Sequence, residues 1–457
     1  MSRLNCFKAY DIRGQVGADL TEGFAYGLGR ATAAELGAHR MVIGRDVRAS
    51  SPVLSSALAR GLQSGGVDVL DLGLCGTEEV YFATDHYRAQ GGVMVTASHN
   101  PIADNGFKLV GPGAAPLSDA QFRAIEARVA ADPGRGTTAP GTYREVSCRP
   151  AYVDRVLSFV DPGSLAPLHL FANGGHGAAG PTFDAVIEGM QGQGALLTVT
   201  RAYHTPDPSF PAGIPNPMLP ENQPLTGEGT RAAGADLGVA WDGDFDRCFF
   251  FDHDGAFVPG EYVVAALAQS MLAQNPGARI VHDARVAWNT QRVVRAGGGV
   301  PVMGQTGHAL MKSRMRVEGA IYGGELSAHH YFRDFMYCDS GMIPWLLMLA
   351  QISTTGQSLQ QSFAEMRALH PSSGEINFRV ADPERAVAAV LGELGPQAVE
   401  IDHTDGLSLS FGQWRANLRR SNTEALLRLN VEARGDADLV AEQVARITAL
   451  LRPFAEG

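Results

Sequence analysis

Short apolar runs rich in Val, Ile and Phe alternate with amphipathic stretches through roughly the first 360 residues, an order that predicts βαβ units and largely parallel or mixed sheets. Runs at 41–44, 67–72 and 92–96 read as strands around a helix at 51–64, and Gly or polar residues follow each strand. A Pro/Gly/Thr-rich stretch at 132–141 reads as a linker, and another α/β pattern starts near Tyr152. Strands are predicted at 168–172, 237–241 and 248–251, then a helix at 261–274, strands near 279–282 and 300–303, and a helical segment over 340–369. PSSGE at 371–375 marks a last boundary. Beyond it the βαβ rhythm is lost, and strands near 376–380, 408–411 and 426–432 indicate a smaller α+β unit. The chain is therefore expected to be α/β, divided at 1–143, 144–252, 253–369 and 370–457.

A length of 457 residues supports that division, since domains usually hold about 100–150 residues. The most apolar stretch, 342–352, contains Pro344 and falls well short of the ~20 residues that a bilayer core requires, so no membrane partner is expected. The opening MSRLNCFKAYDIRG lacks the apolar run of a secretory signal, which points to the cytoplasm. Five cysteines, an odd number without any C-x-x-C pair, read as reduced thiols rather than a disulfide frame or zinc site. A net charge of −11 argues against a nucleic-acid partner. It leaves room for a phosphate-bearing small molecule held by a local cluster of Arg, Lys and backbone N–H groups.

Four polar loops carry the candidate chemistry. TASHNP at 96–101 follows an apolar strand, where α/β sheets present side chains to ligands, and its Ser98 is a candidate nucleophile as well as a plausible turn residue. No G-x-S-x-G elbow surrounds it, which favours phosphoryl over acyl transfer. DGDFDR at 242–247 sets carboxylates at i, i+2 and i+4, a donor set for an oxygen-loving cation such as Mg²⁺, and it lacks the calcium-loop consensus. Arg247 beside it could neutralise a phosphoryl oxygen. GGELSAHH at 323–330 offers a carboxylate, a hydroxyl and imidazoles suited to sugar hydroxyls, or to a plain polar surface. RRSNTE at 419–424 could wrap a phosphate dianion or merely form a turn; if extended, Arg419 faces the ligand and Arg420 points away.

Taken in order, FKAYDIRG at 7–14, GRDVR at 44–48, TASHNP, NGFKLV at 105–110, GIPNPMLPE at 213–221, DGDFDRCF, TGHALMK at 306–312, GGELSAHHYFRDF and LRRSNTE resemble the α-D-phosphohexomutase superfamily, in particular bacterial phosphomannomutases, over nearly the whole chain. The resemblance implies three α/β domains and an α+β domain around a central cleft. It implies reversible conversion of mannose 6-phosphate and mannose 1-phosphate, feeding GDP-mannose synthesis, with a hexose 1,6-bisphosphate as intermediate and activator. By position, Ser98 would be the phosphoserine and, through its phosphoryl oxygen, would join Asp242, Asp244 and Asp246 in holding Mg²⁺. His99 would lie beside the nucleophile, Arg247 would balance charge, and Lys108 or His329 would move the proton. Glu325 and Ser327 would grip sugar hydroxyls; Arg419, Ser421, Asn422 and Thr423 would hold the distal phosphate. Tyr10, Arg13, Arg285 and His308 would supply further contacts, in a monomer or homodimer. Ala328 and Arg285 depart from Gly and Lys, frequent in relatives, leaving sugar preference open, and Ala425, where Pro is common, would loosen the phosphate loop. A glucose or glucosamine phosphate mutase, or a sugar-phosphate-binding protein without turnover, is the alternative.

Overall fold

The computed structural model describes residues 4–131, 139–420 and 426–455. Two compact units emerge, one running to Phe257 and including His329–Gly356, the other comprising Val258–Ala328 and the chain from Gln357 onward.

In the first unit six strands lie in the order Ile12–Gln15, Asp104–Val110, Gly92–Val95, Arg40–Arg45, Asp68–Leu74 and Tyr143–Glu145. The last four are mutually parallel, whereas Asp104–Val110 runs antiparallel to both of its neighbours. A second sheet sets Cys248–Phe251, Leu237–Trp241, Leu168–Asn173 and Leu197–Ala202 side by side, parallel except for the pair between 237–241 and 248–251. Every residue of Gly92–Val95 and Leu237–Trp241 is buried, as expected of strands covered by helices on both faces. Helices Glu22–Leu36 and Ser51–Ser64 pack on one face of the first sheet, against Met41, Ile43, Val93 and Val95, and helix Thr77–His86 covers the other; Thr21 caps the first of these helices, its hydroxyl accepting from the Phe24 N–H. A short antiparallel pair, His330–Phe332 and Cys338–Asp339, also belongs to this unit.

The second unit holds three parallel strands, Val300–Gly304, Arg279–Asp283 and Tyr322–Gly324. Its C-terminal part is an antiparallel sheet ordered Ile376–Phe378, Leu427–Ala433, Trp414–Arg420, Leu407–Ser410 and Glu400–Asp402. Helices Pro383–Leu394 and Ala437–Leu451 bury Val390, Leu394, Ile447 and Leu451 in the same core as Leu418 and Leu429. The α/β expectation with a closing α+β part therefore holds.

Among the differences from the sequence reading, two alter the number of elements after residue 340. The segment 340–369 is two helices, Ile343–Thr355 and Leu359–Leu369; Gly356 at φ +67° ends the first and a Ser358–Gln361 capping box starts the second. Trp414–Arg420 is an additional central strand. All five cysteines are free and buried, and burial pushes the Cys6 and Cys148 thiols up to about 11 and about 12. Among the described residues no helix is long and apolar enough to cross a membrane.

Candidate active site

In the first unit, the loop after strand Gly92–Val95 and the turn between strands Leu237–Trp241 and Cys248–Phe251 meet at Ser98. Ser98 is 3% exposed, with backbone at φ +50°, and its hydroxyl donates to Asp242 Oδ2 at 2.5 Å. The two loops touch so closely that a Cβ on Gly243 would come within 2.6 Å of the Ser98 carbonyl oxygen. Only glycine fits there. Phe245, at φ +44°, turns its ring into a buried position where a Cβ on Gly76 would collide with it.

Asp242, Asp244 and Asp246 are all buried and each has one engaged oxygen. Arg247 Nε and Nη2 donate to Asp242 Oδ2 at 3.0 and 2.8 Å. Lys108, on strand Asp104–Val110, donates to Asp244 Oδ2 at 2.7 Å and also to Asp246 Oδ2. The remaining oxygens, Oδ1 of all three aspartates, are buried without any hydrogen-bond partner. Carboxylate oxygens of the three converge within 4.8 Å of one another. Three carboxylates facing two side-chain cations, with three desolvated oxygens to spare, fit a hard divalent cation with oxygen ligands.

The electrostatics follow from this crowding. Burial alone would raise Asp242, but the Arg247 guanidinium holds it well below the usual carboxylate range. Burial and then Asp244 push Asp246 up to about 6, with Lys108 opposing. Burial alone would lower Lys108, yet its two carboxylate partners lift it above its ordinary value, so it stays an ammonium. The His99 ring is 38% exposed at one edge, but its Nδ1 lies 3.0 Å from Ser98 Oγ and takes a hydrogen bond from Arg247. Because a guanidinium can only donate, that nitrogen carries no proton; burial and Arg247 lower this imidazole to about 4. Arg13 reaches the same loop through Asn100 Oδ1 at 3.4 Å. His329 Nδ1 lies 3.0 Å from Asp339 Oδ2, and Asp246, His329 and Asp339 form a second group of converging ligand atoms.

The second unit gathers the other residues read from the sequence. Glu325 Oε1 accepts from the Gly307 N–H at 2.7 Å, next to His308, which opens helix His308–Glu318. Arg285 donates from Nε and Nη2 to Asp283 Oδ2 at 3.0 and 2.6 Å, from Nη1 to Glu375 at 3.1 Å, and from Nη2 to Ser327 Oγ at 3.4 Å. Arg419 is 3% exposed and lies 3.5 Å from Glu375, while the Arg420 side chain is 61% exposed beside Glu384. The strand thus separates the two arginines as expected. Ser421, Asn422 and Thr423 lie outside the described residues. Tyr10 is half-buried.

Four residues that sequence reading did not single out bind these groups in place. Thr77 donates its hydroxyl to Asp244 Oδ2 at 2.6 Å and its N–H to the Asp244 carbonyl at 3.1 Å. Arg48, Asp339 and Glu375 are the others. The only sequence signal for Thr77 is its place after strand Asp68–Leu74 at the start of helix Thr77–His86.

With the geometry in hand, comparisons place the chain among known proteins. The phosphoglucomutase/phosphomannomutase family matches in four parts: alpha/beta/alpha domain I over residues 4–134, domain II over 150–255, domain III over 259–369 and the C-terminal domain over 375–450. A phosphomannomutase of Salmonella montevideo is 51% identical over 99% of this chain and 100% of its own. A Xanthomonas campestris protein named phosphohexose mutases is 51% identical over 98% of this chain and 99% of its own. A crystal structure of a phosphoglucomutase/phosphomannomutase family protein from Burkholderia thailandensis superimposes with a TM-score of 0.87 at 30% identity, covering 100% of this chain and 99% of that one.

Proposed function

The chain belongs to the phosphoglucomutase/phosphomannomutase family of isomerases, and from that premise we propose that it interconverts mannose 6-phosphate and mannose 1-phosphate with Ser98 as a phosphorylated relay. The observation that carries this reading is the Ser98 hydroxyl 2.5 Å from Asp242, within a set of three aspartates whose second oxygens are buried and unpartnered. Asp242, Asp244 and Asp246, with a phosphoryl oxygen on Ser98, would hold Mg²⁺, which supplies charge compensation for phosphoryl transfer.

Phospho-Ser98 gives its phosphoryl group to a sugar hydroxyl: the new P–O bond forms at that hydroxyl, the Ser98 Oγ–P bond breaks, and the hydroxyl proton passes to a base. His329 is assigned that proton, because Asp339 orients its ring and Lys108 is held charged between two carboxylates. Arg247 and Lys108 act as fixed positive charges, and neutral His99 lines the nucleophile. Turning the hexose 1,6-bisphosphate end for end lets its other phosphate return to Ser98, and free bisphosphate is accordingly the activator. Glu325 and Ser327 are assigned to sugar hydroxyls. Arg419, Ser421, Asn422 and Thr423, with Tyr10, Arg13, Arg285 and His308, are assigned to the substrate and its distal phosphate. The product would serve GDP-mannose synthesis in the cytoplasm.

A second reading, in which glucose phosphates are also used, is favoured by the broader name of the Xanthomonas relative. One coupled assay with mannose 1-phosphate and glucose 1-phosphate, run on wild type and Ser98→Ala, tests both. Wild type is expected to prefer the mannose substrate, and the variant to lose on the order of a thousandfold or more in turnover. Near-wild-type turnover of Ser98→Ala would remove the relay.

A further inference from the structure

We infer that Arg48 is the positioning residue of the nucleophile loop: its guanidinium holds the backbone of residues 98–104 in the form that aims Ser98 Oγ at Asp242. Nη1 donates to the carbonyls of Pro101 at 2.9 Å and Asp104 at 3.0 Å. Nη2 donates to those of Ser98 at 2.9 Å and Asn100 at 2.6 Å. A guanidinium has four terminal N–H groups, and here four backbone carbonyls of one loop receive bonds from those two nitrogens. Arg48 is 2% exposed. Its own place is set from the other side, where Nε lies 3.5 Å from Asp46 Oδ2, Asp46 Oδ1 accepts the Arg48 N–H at 3.0 Å, and the Phe210 ring centroid lies 5.8 Å from Cζ.

The geometry explains a backbone feature that the loop sequence does not. Ser98 sits at φ +50°, a conformation that L-residues adopt only when their surroundings enforce it. Carbonyls drawn inward to one planar cation fix the turn from below, while Thr96 Oγ1 accepts the Ser98 N–H at 2.8 Å. Lysine cannot reproduce this, having three donors on a tetrahedral nitrogen and no fork. With its terminal donors turned to the backbone, Arg48 acts on chemistry through Ser98 rather than by touching substrate.

This inference rests on Ser98 being the phosphoryl carrier, so its test first maps phosphoserine by mass spectrometry in the wild-type enzyme. No phosphate on Ser98 ends the reading above; the inference stands or falls on the kinetics that follow. Arg48→Lys, with its melting temperature recorded, is compared in steady state and in a single-turnover transfer from the phosphoenzyme. Misaimed oxygen should slow both kcat and transfer roughly tenfold to a hundredfold, with KM for the hexose phosphate within about twofold of wild type. Wild-type kcat in a folded Arg48→Lys, or a rise in KM alone, overturns the inference. If that variant does not fold, Asp46→Asn, which loosens the anchor of the guanidinium along with the bond from the Ser51 hydroxyl, is expected to give the same kcat-selective loss, and an unchanged kcat there overturns it equally.

Discussion

Lys108 Nζ lies 2.7 Å from Asp244 Oδ2, although 136 positions separate them, and the same oxygen receives the Thr77 hydroxyl at 2.6 Å. One carboxylate oxygen is thereby fully engaged in orienting Asp244. Its Oδ1 is left buried and aimed away from both donors.

Asp244→Asn tests what that free oxygen is for. An amide keeps the shape but removes a negative charge, and with its oxygen kept on the Lys108 and Thr77 donors it presents an NH₂ in place of the free Oδ1. Mg²⁺ affinity, measured by titration calorimetry without substrate, should fall at least about tenfold, and turnover should drop even at saturating substrate. Unaltered Mg²⁺ binding would exclude the triad as the cation site.

Glu375 gathers three guanidinium groups, with Arg285 at 3.1 Å, Arg428 at 3.3 Å and Arg419 at 3.5 Å. Burial would raise this carboxyl, but those arginines hold it below its ordinary range. Glu375→Gln frees positive charge for an incoming phosphate and leaves the arginines to repel one another. Inorganic phosphate should bind roughly threefold to tenfold tighter at low salt, while folding stability falls by about 1–3 kcal/mol. Weaker phosphate binding at unchanged stability would be the contrary result.

His330 is fully buried, and burial, then the neighbouring His329, lowers its pKa from 6.5 to about 3. Between those values the unfolded chain binds the proton and the folded chain does not. Its contribution to stability is therefore complete above about pH 6.5 and is lost as pH falls towards 3, by at most about 1.4 kcal/mol per pH unit. Urea denaturation of wild type and His330→Phe at pH 7, 6 and 5 should show a shallower acid limb in the variant. Parallel limbs would mean that His330 does not titrate in this window.

Legibility in the sequence followed burial. The strand at 237–241 was located without error and that at 92–96 to within one residue, because both are covered on two faces and read as unbroken apolar runs. Strand Trp414–Arg420 escaped notice because its buried positions include Arg415, Asn417 and Arg419. Arg415 donates to Glu432 and Ser408, Asn417 to the Asp405 carbonyl, and Arg419 lies 3.5 Å from Glu375, partners that no local pattern discloses. The break at Gly356 went unread, although Gly followed by a Ser358–Gln361 box is a stop and a start in succession. At the site, the convergence of Ser98 with Asp242, Asp244 and Asp246 was readable from the residues of their own loops. The side chains that brace them were not, because their bonds cross 50 positions for Arg48 to Ser98 and 167 for Thr77 to Asp244.

The five buried thiols carry a practical consequence. Alkylating and fluorescent maleimide reagents attack the thiolate, and Cys6 and Cys148 hold their protons to about 11 and about 12 while burial also raises Cys75 and Cys248 well above the ordinary thiol range. Cys338 is fully buried with its Sγ against the Ala114 carbonyl. The folded chain is in effect a thiol-silent background. A single cysteine placed at exposed Ile102, at the rim of the nucleophile loop, would take a dye or spin label selectively, and the natural sequence needs no prior removal of its own sulfur.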